Sequence, residues 1–402
     1  MAEPESNPFQ PRFHAIELTN FLSYKHARLE FGDLIALVGP NASGKSNLVA
    51  AIKLLREIPI HGLPVALARR GGFDQLRHRS AGRPYDPGLR IEFTLGDSSR
   101  ISHYELRLGA VKPRNYRVKL ESATVYVDDE QYDFESDGER VATTEIEYVL
   151  DQDGDIRNRA GESFKVDRVR RRFPIPPAQS ALPNAGFAGF VVLQALQRMQ
   201  TIEVNPAKVG ELQEPSSTQD FEPDGGNTTS IFELLEPRLK NELVDELSAI
   251  VPGIVRIEVQ RLADRHTLKF VQETASGNRE FFAKQMSDGT LRAFSILLAM
   301  KQPSQPALFV IEEPEIAIHL GALRTLVDIL EQEAEETQII LTTHSADIVD
   351  SVDVEALRVV WNDGGDSRIG TVALHTIETV RSGLITPGQL LRSDSLDLET
   401  DE

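Results

Sequence analysis

Eight residues near the N-terminus have the types and spacing to hold a phosphate. Gly39-Pro40-Asn41-Ala42-Ser43-Gly44-Lys45-Ser46 matches G-x-x-x-x-G-K-[ST]. The glycines let the backbone bend closely, so successive N–H groups point at the anion. A helix starting there adds the positive end of its dipole. Lys45 would neutralise β- and γ-phosphate charge, and the Ser46 hydroxyl would hold Mg²⁺. The flanks suit this loop. Leu34–Val38 is a short apolar run that predicts a buried strand. Leu48, Ile52 and Leu55 recur at helical spacing, predicting a helix over 46–57 closed by Pro59.

A second group of chemistry-bearing residues lies far along the chain. Phe309-Val310-Ile311 reads as the end of a buried strand and runs into Glu312-Glu313-Pro314-Glu315. The first carboxylate could reach a magnesium shell through water, and the second could orient and deprotonate an attacking water. Three acids around one proline also fit a plain solvated strand end; the phosphate loop upstream favours the first reading. His344 follows the apolar run 339–341 and two threonines. A lone histidine there is often a hydrogen-bonded structural residue, but ligands of open α/β sheets gather at the C-terminal ends of strands. His319 reads as structural or interfacial. Ser287-Asp288-Gly289-Thr290 is a small, turn-prone tetrapeptide opening a helix on which Leu291, Phe294, Ser295 and Leu298 share a face. Ser287 or Asp288 could cap it, and its free N–H groups would suit an anion.

The elements that must position these residues are legible in outline. Strand 307–311, amphipathic helix 322–335 and strand 338–342 follow the helix that carries Leu291 to Leu298 and ends at Pro303 and Pro306, so one parallel sheet assembled from both chain ends is expected. Between the two groups, 89–95, 104–108, 116–120, 123–127 and 145–150 alternate with period two, an antiparallel β lobe. A proline-rich passage (Pro174, Pro176, Pro177, Pro183) leads to a helical segment near 187–199. A polar loop over 211–230 and a helix over 231–251, interrupted or kinked at Pro237, come next.

Composition narrows the class. The 402 residues carry 43 Lys and Arg against 62 Asp and Glu, a formal charge of −19, which opposes a wholly electrostatic grip on nucleic acid. Cysteine is absent, excluding disulfides, thiolate metal sites and cysteine nucleophiles. No apolar run is long enough to span a membrane, and residues 1–11 lack the pattern of a secretion signal, so a cytoplasmic protein is expected.

The order of these motifs resembles the ABC-type ATPase head of the RecF, SMC and OLD-like branch of AAA-family ATPases, and most of all its compact bacterial members, several of which serve anti-phage or toxin–antitoxin systems. The resemblance covers residues 12–362, and Asn20-Phe21-Leu22-Ser23 is similar to the segment before the P-loop strand in that branch. It implies an α/β P-loop NTPase fold of ABC-ATPase type, with an antiparallel β lobe and a small helical lid insertion. The expected division is a flexible 1–11, core 12–88, β lobe 89–172, lid and return to the core 173–280, core 281–391, and a flexible acidic tail 392–402. By motif, Gly39, Pro40, Asn41, Ala42, Ser43, Gly44, Lys45, Ser46 and Asn47 form the Walker A loop that binds ATP, and Ser287, Asp288, Gly289 and Thr290 the signature. Glu312, with Ser46, would hold Mg²⁺. Glu313 would be the catalytic base, and His344 would sense the γ-phosphate. The stretch after Pro314 would be the D-loop. The Q-loop glutamine stays open between Gln75 and Gln194. Two departures stand out: Glu312 replaces the usual aspartate, and Asp288 stands where many members have glycine.

The resemblance also implies partners: at least a homodimer sandwiching ATP, and a separately encoded effector. About 240 proline-broken or strand-rich residues separate Walker A from the signature, so SMC-type heptad arms are not expected. Nor is a fused TOPRIM nuclease expected after His344. Two alternatives remain: a RecF-like clamp using the basic runs 69–83 and 168–172 on DNA, and a non-hydrolysing nucleotide sensor.

Overall fold

The computed structural model describes residues 9–79, 85–111, 115–128, 143–150, 156–160, 176 and 178–393. In chain order the strands are β1 (Pro11–Phe21), β2 (Tyr24–Glu30) and β3 (Leu34–Val38), then β4 (Gly88–Leu95), β5 (Ser102–Val111), β6 (Asn115–Asp128), β7 (Thr143–Leu150) and β8 (Ile156–Ala160). Next come β9 (Met199–Ile202), β10 (Ile254–Leu262), β11 (Arg265–Thr274), β12 (Gly277–Phe282), β13 (Leu308–Glu312), β14 (Gln338–Thr343), β15 (Leu357–Asp363) and β16 (Asp366–Thr371). Two compact units emerge, each built from separated stretches. One comprises Met1–Gly32, Asn41–Met199 and Val360–Ile369; the other comprises Asp33–Pro40, Gln200–Val359 and Gly370–Glu402.

The first unit is built on an antiparallel sheet of order β2-β1-β4-β5-β6-β7-β8. Period-two alternation explains its two faces. Leu18, Ile91, Phe93, Tyr104, Leu106 and Val125 are buried. Arg28, Glu17 and Glu92 sit on the wet face, with Arg28 donating to Glu17 at 2.5 Å and Glu92 at 2.8 Å. The sheet takes in β1 and β2 as well as the lobe strands, and the two short runs read over 116–120 and 123–127 are one long strand, β6. Nothing between them breaks the ladder, because Glu121 is buried and fully paired. Its carboxylate accepts from Tyr104 Oη (2.8 Å), Ser180 Oγ (2.6 Å) and the Ala181 N–H (2.6 Å), anchoring the segment that leads into helix Gly186–Gln197. Burial pushes the Glu121 carboxyl above its ordinary value, against these three donors.

Helix Lys45–His61 also belongs to the first unit for all its length and buries Leu48, Val49, Ile52, Leu55 and Ile58. It runs through Pro59 rather than ending there. Only the last two residues follow the proline, so the helix loses one N–H donor in its final turn and no more. Arg168–Arg172 lies outside the described residues.

The second unit holds the parallel sheet. β3 lies between β14 and β15 and pairs with both in parallel, and β13 pairs in parallel with the other side of β14. Strands from the two ends of the chain are thus direct neighbours. β3, β13 and β14 are buried on both faces, as their unbroken apolar runs require. Helices Asp288–Met300 and Leu320–Glu333 carry buried apolar stripes. Lys301 closes this layer: its side chain is 4% exposed and meets Glu242 at 2.9 Å, Glu246 at 2.7 Å and Glu333 at 3.0 Å. The helix read over 231–251 is two helices, Thr228–Leu234 and Pro237–Ile250, with Pro237 opening the second, where its missing N–H costs nothing. The insertion read as helical also contains the antiparallel sheet β10-β11-β12, which the sequence reading missed because its outer strands β10 and β12 bury few side chains and show little apolar alternation. No helix among the described residues is long and apolar enough to cross a membrane.

Candidate nucleotide site

The register of the parallel sheet decides which residues share an edge. Val38 pairs with Thr343, Leu37 with Thr342, and Thr342 with Glu312. The residues just beyond these pairs are Gly39, His344 and Glu313, so the start of the phosphate loop, the double acid and the histidine leave one C-terminal edge. That edge is where ligands of parallel sheets bind.

Glu313 breaks from the strand in a left-handed conformation, φ 46°, which is unfavourable for a residue with a side chain. The turn is held by its N–H, which donates to the Thr342 carbonyl at 2.9 Å. Glu315 comes back to the same edge. Its Oε1 accepts from Thr343 Oγ1 (2.7 Å) and the His344 N–H (3.3 Å) and lies 3.6 Å from His344 Nδ1. His344 Nδ1 is 3.7 Å from Glu313 Oε1, so one imidazole nitrogen lies near both carboxylates. Glu315 Oε2 is buried without a hydrogen-bond partner. The sequence reading gave Glu315 no role; the signal available was its spacing, two residues after Glu313 across a proline.

The 287–290 tetrapeptide belongs to the same unit. Ser287 is the N-cap: its Oγ accepts from the Thr290 N–H at 3.2 Å, while Asp288 occupies the first turn. Gly289 is required by a close approach. A β-carbon there would lie 2.0 Å from the Ala317 carbonyl oxygen, on the segment after Pro314. Gly289→Ala should therefore push these two loops apart and cost about 1–3 kcal/mol of stability. A melting temperature equal to wild type would contradict the tight contact. One turn along, half-buried Arg292 keeps its Nε buried without a partner. Burial lowers the guanidinium from its ordinary value, and the carboxylates of Glu313, Asp288 and Glu315 oppose that shift. His319 caps helix Leu320–Glu333, accepting from the Gly321 N–H at 3.1 Å, a structural role.

In the first unit, the loop from Asn41 enters helix Lys45–His61 without a side-chain cap and with no acid in the first turn. The positive end of its dipole therefore meets neither a side-chain cap nor a first-turn carboxylate, which suits an anion. Ser43 Oγ is buried with no hydrogen-bond partner, a second sign that the loop is completed by a ligand. Lys45 is buried and Ser46 exposed at the mouth of the helix. ATP phosphates fit this donor set: backbone amides, one lysine and two hydroxyls. Asn47 turns inward to Ser23 Oγ at 2.6 Å. Gln75 and Gln194 both fall in the first unit, on helices Phe73–Leu76 and Gly186–Gln197. Part of the basic run 69–83 is neutralised locally: Arg70 meets Glu57 at 2.6 Å, and Arg77 meets Asp74 at 3.6 Å and Asp86 at 3.8 Å.

The chain matches the family model described as "AAA domain, putative AbiEii toxin, Type IV TA system" over residues 34–174 and 192–350. It is 30% identical over 139 residues to the structural maintenance of chromosomes protein 1 of Caenorhabditis elegans, a match covering 31% of this chain and 10% of that protein. The match thus spans about a tenth of that relative. Two solved structures share the fold. The Smc head domain of Pyrococcus furiosus with an extended coiled coil, bound to the C-terminal domain of ScpA, superposes with a TM-score of 0.54 at 12% identity, covering 93% of this chain and 99% of that one. An SmcHead bound to the C-winged helix domain of ScpA gives 0.51 at 14% identity, covering 91% and 99%.

Proposed function

The chain belongs to the AAA-domain family of AbiEii type, an ATPase family of AAA and SMC-head kind, and from that premise we propose that it binds and hydrolyses Mg²⁺-ATP between two copies of itself and thereby regulates a separately encoded effector. The observation that carries this reading is the register that brings Gly39, Glu313 and His344 to one sheet edge. The loop 39–47 takes the phosphates on its amides and Lys45. The Ser46 hydroxyl and the Glu312 carboxylate are the groups that would hold a magnesium ion, which would neutralise phosphate charge. Glu313 accepts a proton from water as the water oxygen bonds to the γ-phosphorus. The bond from that phosphorus to the bridging oxygen breaks, leaving ADP and phosphate. His344, whose Nδ1 lies near both Glu313 and Glu315, donates to the γ-phosphate. Two facts support a shared site. Ser287 and Asp288 are exposed, and Ile316 and Leu320 on the neighbouring segment are 42% and 61% exposed, a partly apolar surface suited to a second copy. The effector, in a toxin–antitoxin or anti-phage setting, is supported by the family description alone.

Lys45→Ala is expected to abolish ATP binding in calorimetry, since it takes the ammonium charge out of the phosphate loop. Equal affinity in the variant and wild type would overturn the assignment of this loop.

A further inference from the structure

The phosphate loop is held from beneath by a directed chain of hydrogen bonds inside the first unit. Asn47 Nδ2 donates to Ser23 Oγ at 2.6 Å, Ser23 Oγ lies 2.7 Å from Ser367 Oγ, and Ser367 Oγ lies 2.6 Å from the Ser43 carbonyl oxygen. Each hydroxyl has a single proton. The Ser43 carbonyl can only accept, so Ser367 donates to it. The proton between the two hydroxyls is then the one on Ser23, which accepts from Asn47. A second hold sits beside this chain: Tyr24 Oη donates to the Gly44 carbonyl at 3.1 Å. Ser367 comes from the start of β16, 324 positions after Ser43, and its own N–H is anchored to the Ser23 carbonyl at 2.8 Å.

These contacts matter because of peptide geometry. In a trans peptide plane the C=O and N–H point in opposite directions. Fixing the Ser43 carbonyl therefore fixes the direction of the Gly44 N–H, and fixing the Gly44 carbonyl fixes that of the Lys45 N–H. The Ser43 carbonyl is held by Ser367, and the Gly44 carbonyl by Tyr24 together with the N–H groups of Asn47 (2.9 Å) and Leu48 (3.1 Å), so both amides face away from those donors. Gly44 is fitted to this arrangement. Its φ is 122°, and a β-carbon there would lie 2.4 Å from Ser367 Oγ and 3.0 Å from Tyr24 Oη. Burial raises the Tyr24 hydroxyl above its ordinary value, so it stays a donor at any working pH.

We propose that Ser367 is a positioning residue for the nucleotide: as the last link of the Asn47–Ser23–Ser367 chain, and together with Tyr24, it locks two consecutive peptide planes of the loop so that their N–H groups are aimed at the phosphates before ATP arrives. This rests on the reading of the loop as the nucleotide site. Without the lock, the Ser43–Gly44 plane is free to turn its carbonyl toward the phosphate, and binding must first reorder it.

The test is a calorimetric titration of Mg²⁺-ATP into the full chain and its variants. Ser367→Ala is expected to weaken binding about tenfold, the scale of one lost hydrogen bond to an ordered carbonyl. KM should rise by the same factor while turnover at saturating ATP changes little, a split that general destabilisation does not give. Ser367→Thr, which keeps the hydroxyl, should restore affinity to within about threefold of wild type. Ser23→Ala should weaken binding by about threefold, and the Ser23→Ala, Ser367→Ala double variant should be no weaker than Ser367→Ala alone, because both cut one chain. Effects that multiply in the double variant, or an unchanged Kd in Ser367→Ala, would overturn the lock. Should Ser367→Ala fail to fold, Ser23→Ala decides alone, and an unchanged Kd there overturns it too. Wild-type protein that binds no nucleotide would overturn the functional reading itself, a separate outcome visible in the first titration.

Discussion

Glu313→Gln is expected to bind ATP as tightly as wild type and to lose hydrolysis by about 10²- to 10⁴-fold, the usual contribution of a general base. The substitution keeps the side chain's length and shape. It also leaves the left-handed turn untouched, because that turn is held by the backbone N–H of residue 313 on the Thr342 carbonyl. What it removes is the proton acceptor. The variant should accumulate with ATP bound, and a filter-binding assay after a long incubation should recover ATP rather than ADP. Hydrolysis at the wild-type rate would place the base elsewhere. His344, 3.7 Å from Glu313, would be next in line, with Glu315 3.6 Å from the same imidazole nitrogen.

Ser287→Arg carries the second large expectation. Ser287 is exposed and its hydroxyl caps the helix, so the change costs the cap, about 1 kcal/mol, and places a long cation over the 287–290 surface. Nothing in the loop 39–47 is altered. Nucleotide affinity of the isolated chain should therefore stay at the wild-type level. Doubling of mass on adding ATP, followed by light scattering, should disappear, and hydrolysis should fall with it. A variant that still doubles its mass and hydrolyses ATP would show that 287–290 is not part of a shared interface.

The sequence displays some of this architecture plainly and hides the rest for physical reasons. Apolar runs without alternation mark β3, β13 and β14 as strands buried on both faces, and that is enough to bring both chain ends into one sheet. The glycine pattern marks the loop because only glycine accepts its backbone angles, with φ of 154° at Gly39 and 122° at Gly44. Ser367 left no such trace. A serine in a turn-rich segment has no periodicity, and its significance comes from partners 324 and 344 positions away. Glu315 was hidden differently, as the third member of an acidic cluster whose first two residues drew the chemical reading. The β10–β12 sheet escaped because its register places so many of its side chains in water, leaving little apolar alternation to detect. Pro59 misled because proline ends a helix interior but is tolerated near a last turn.

The central claim is that two copies complete each other's sites, and mixing two inactive variants tests it most directly. Lys45→Ala lacks a working phosphate loop but keeps its 287–290 surface; Ser287→Arg has the reverse. In a heterodimer, the intact loop of the Ser287→Arg chain faces the intact 287–290 segment of the Lys45→Ala chain, giving one complete site. Phosphate release should therefore return when the two purified proteins are mixed, at a rate set by the fraction of heterodimer. A mixture that remains inactive while heterodimers are shown to form, or full activity in wild-type chain held monomeric, would contradict the shared site.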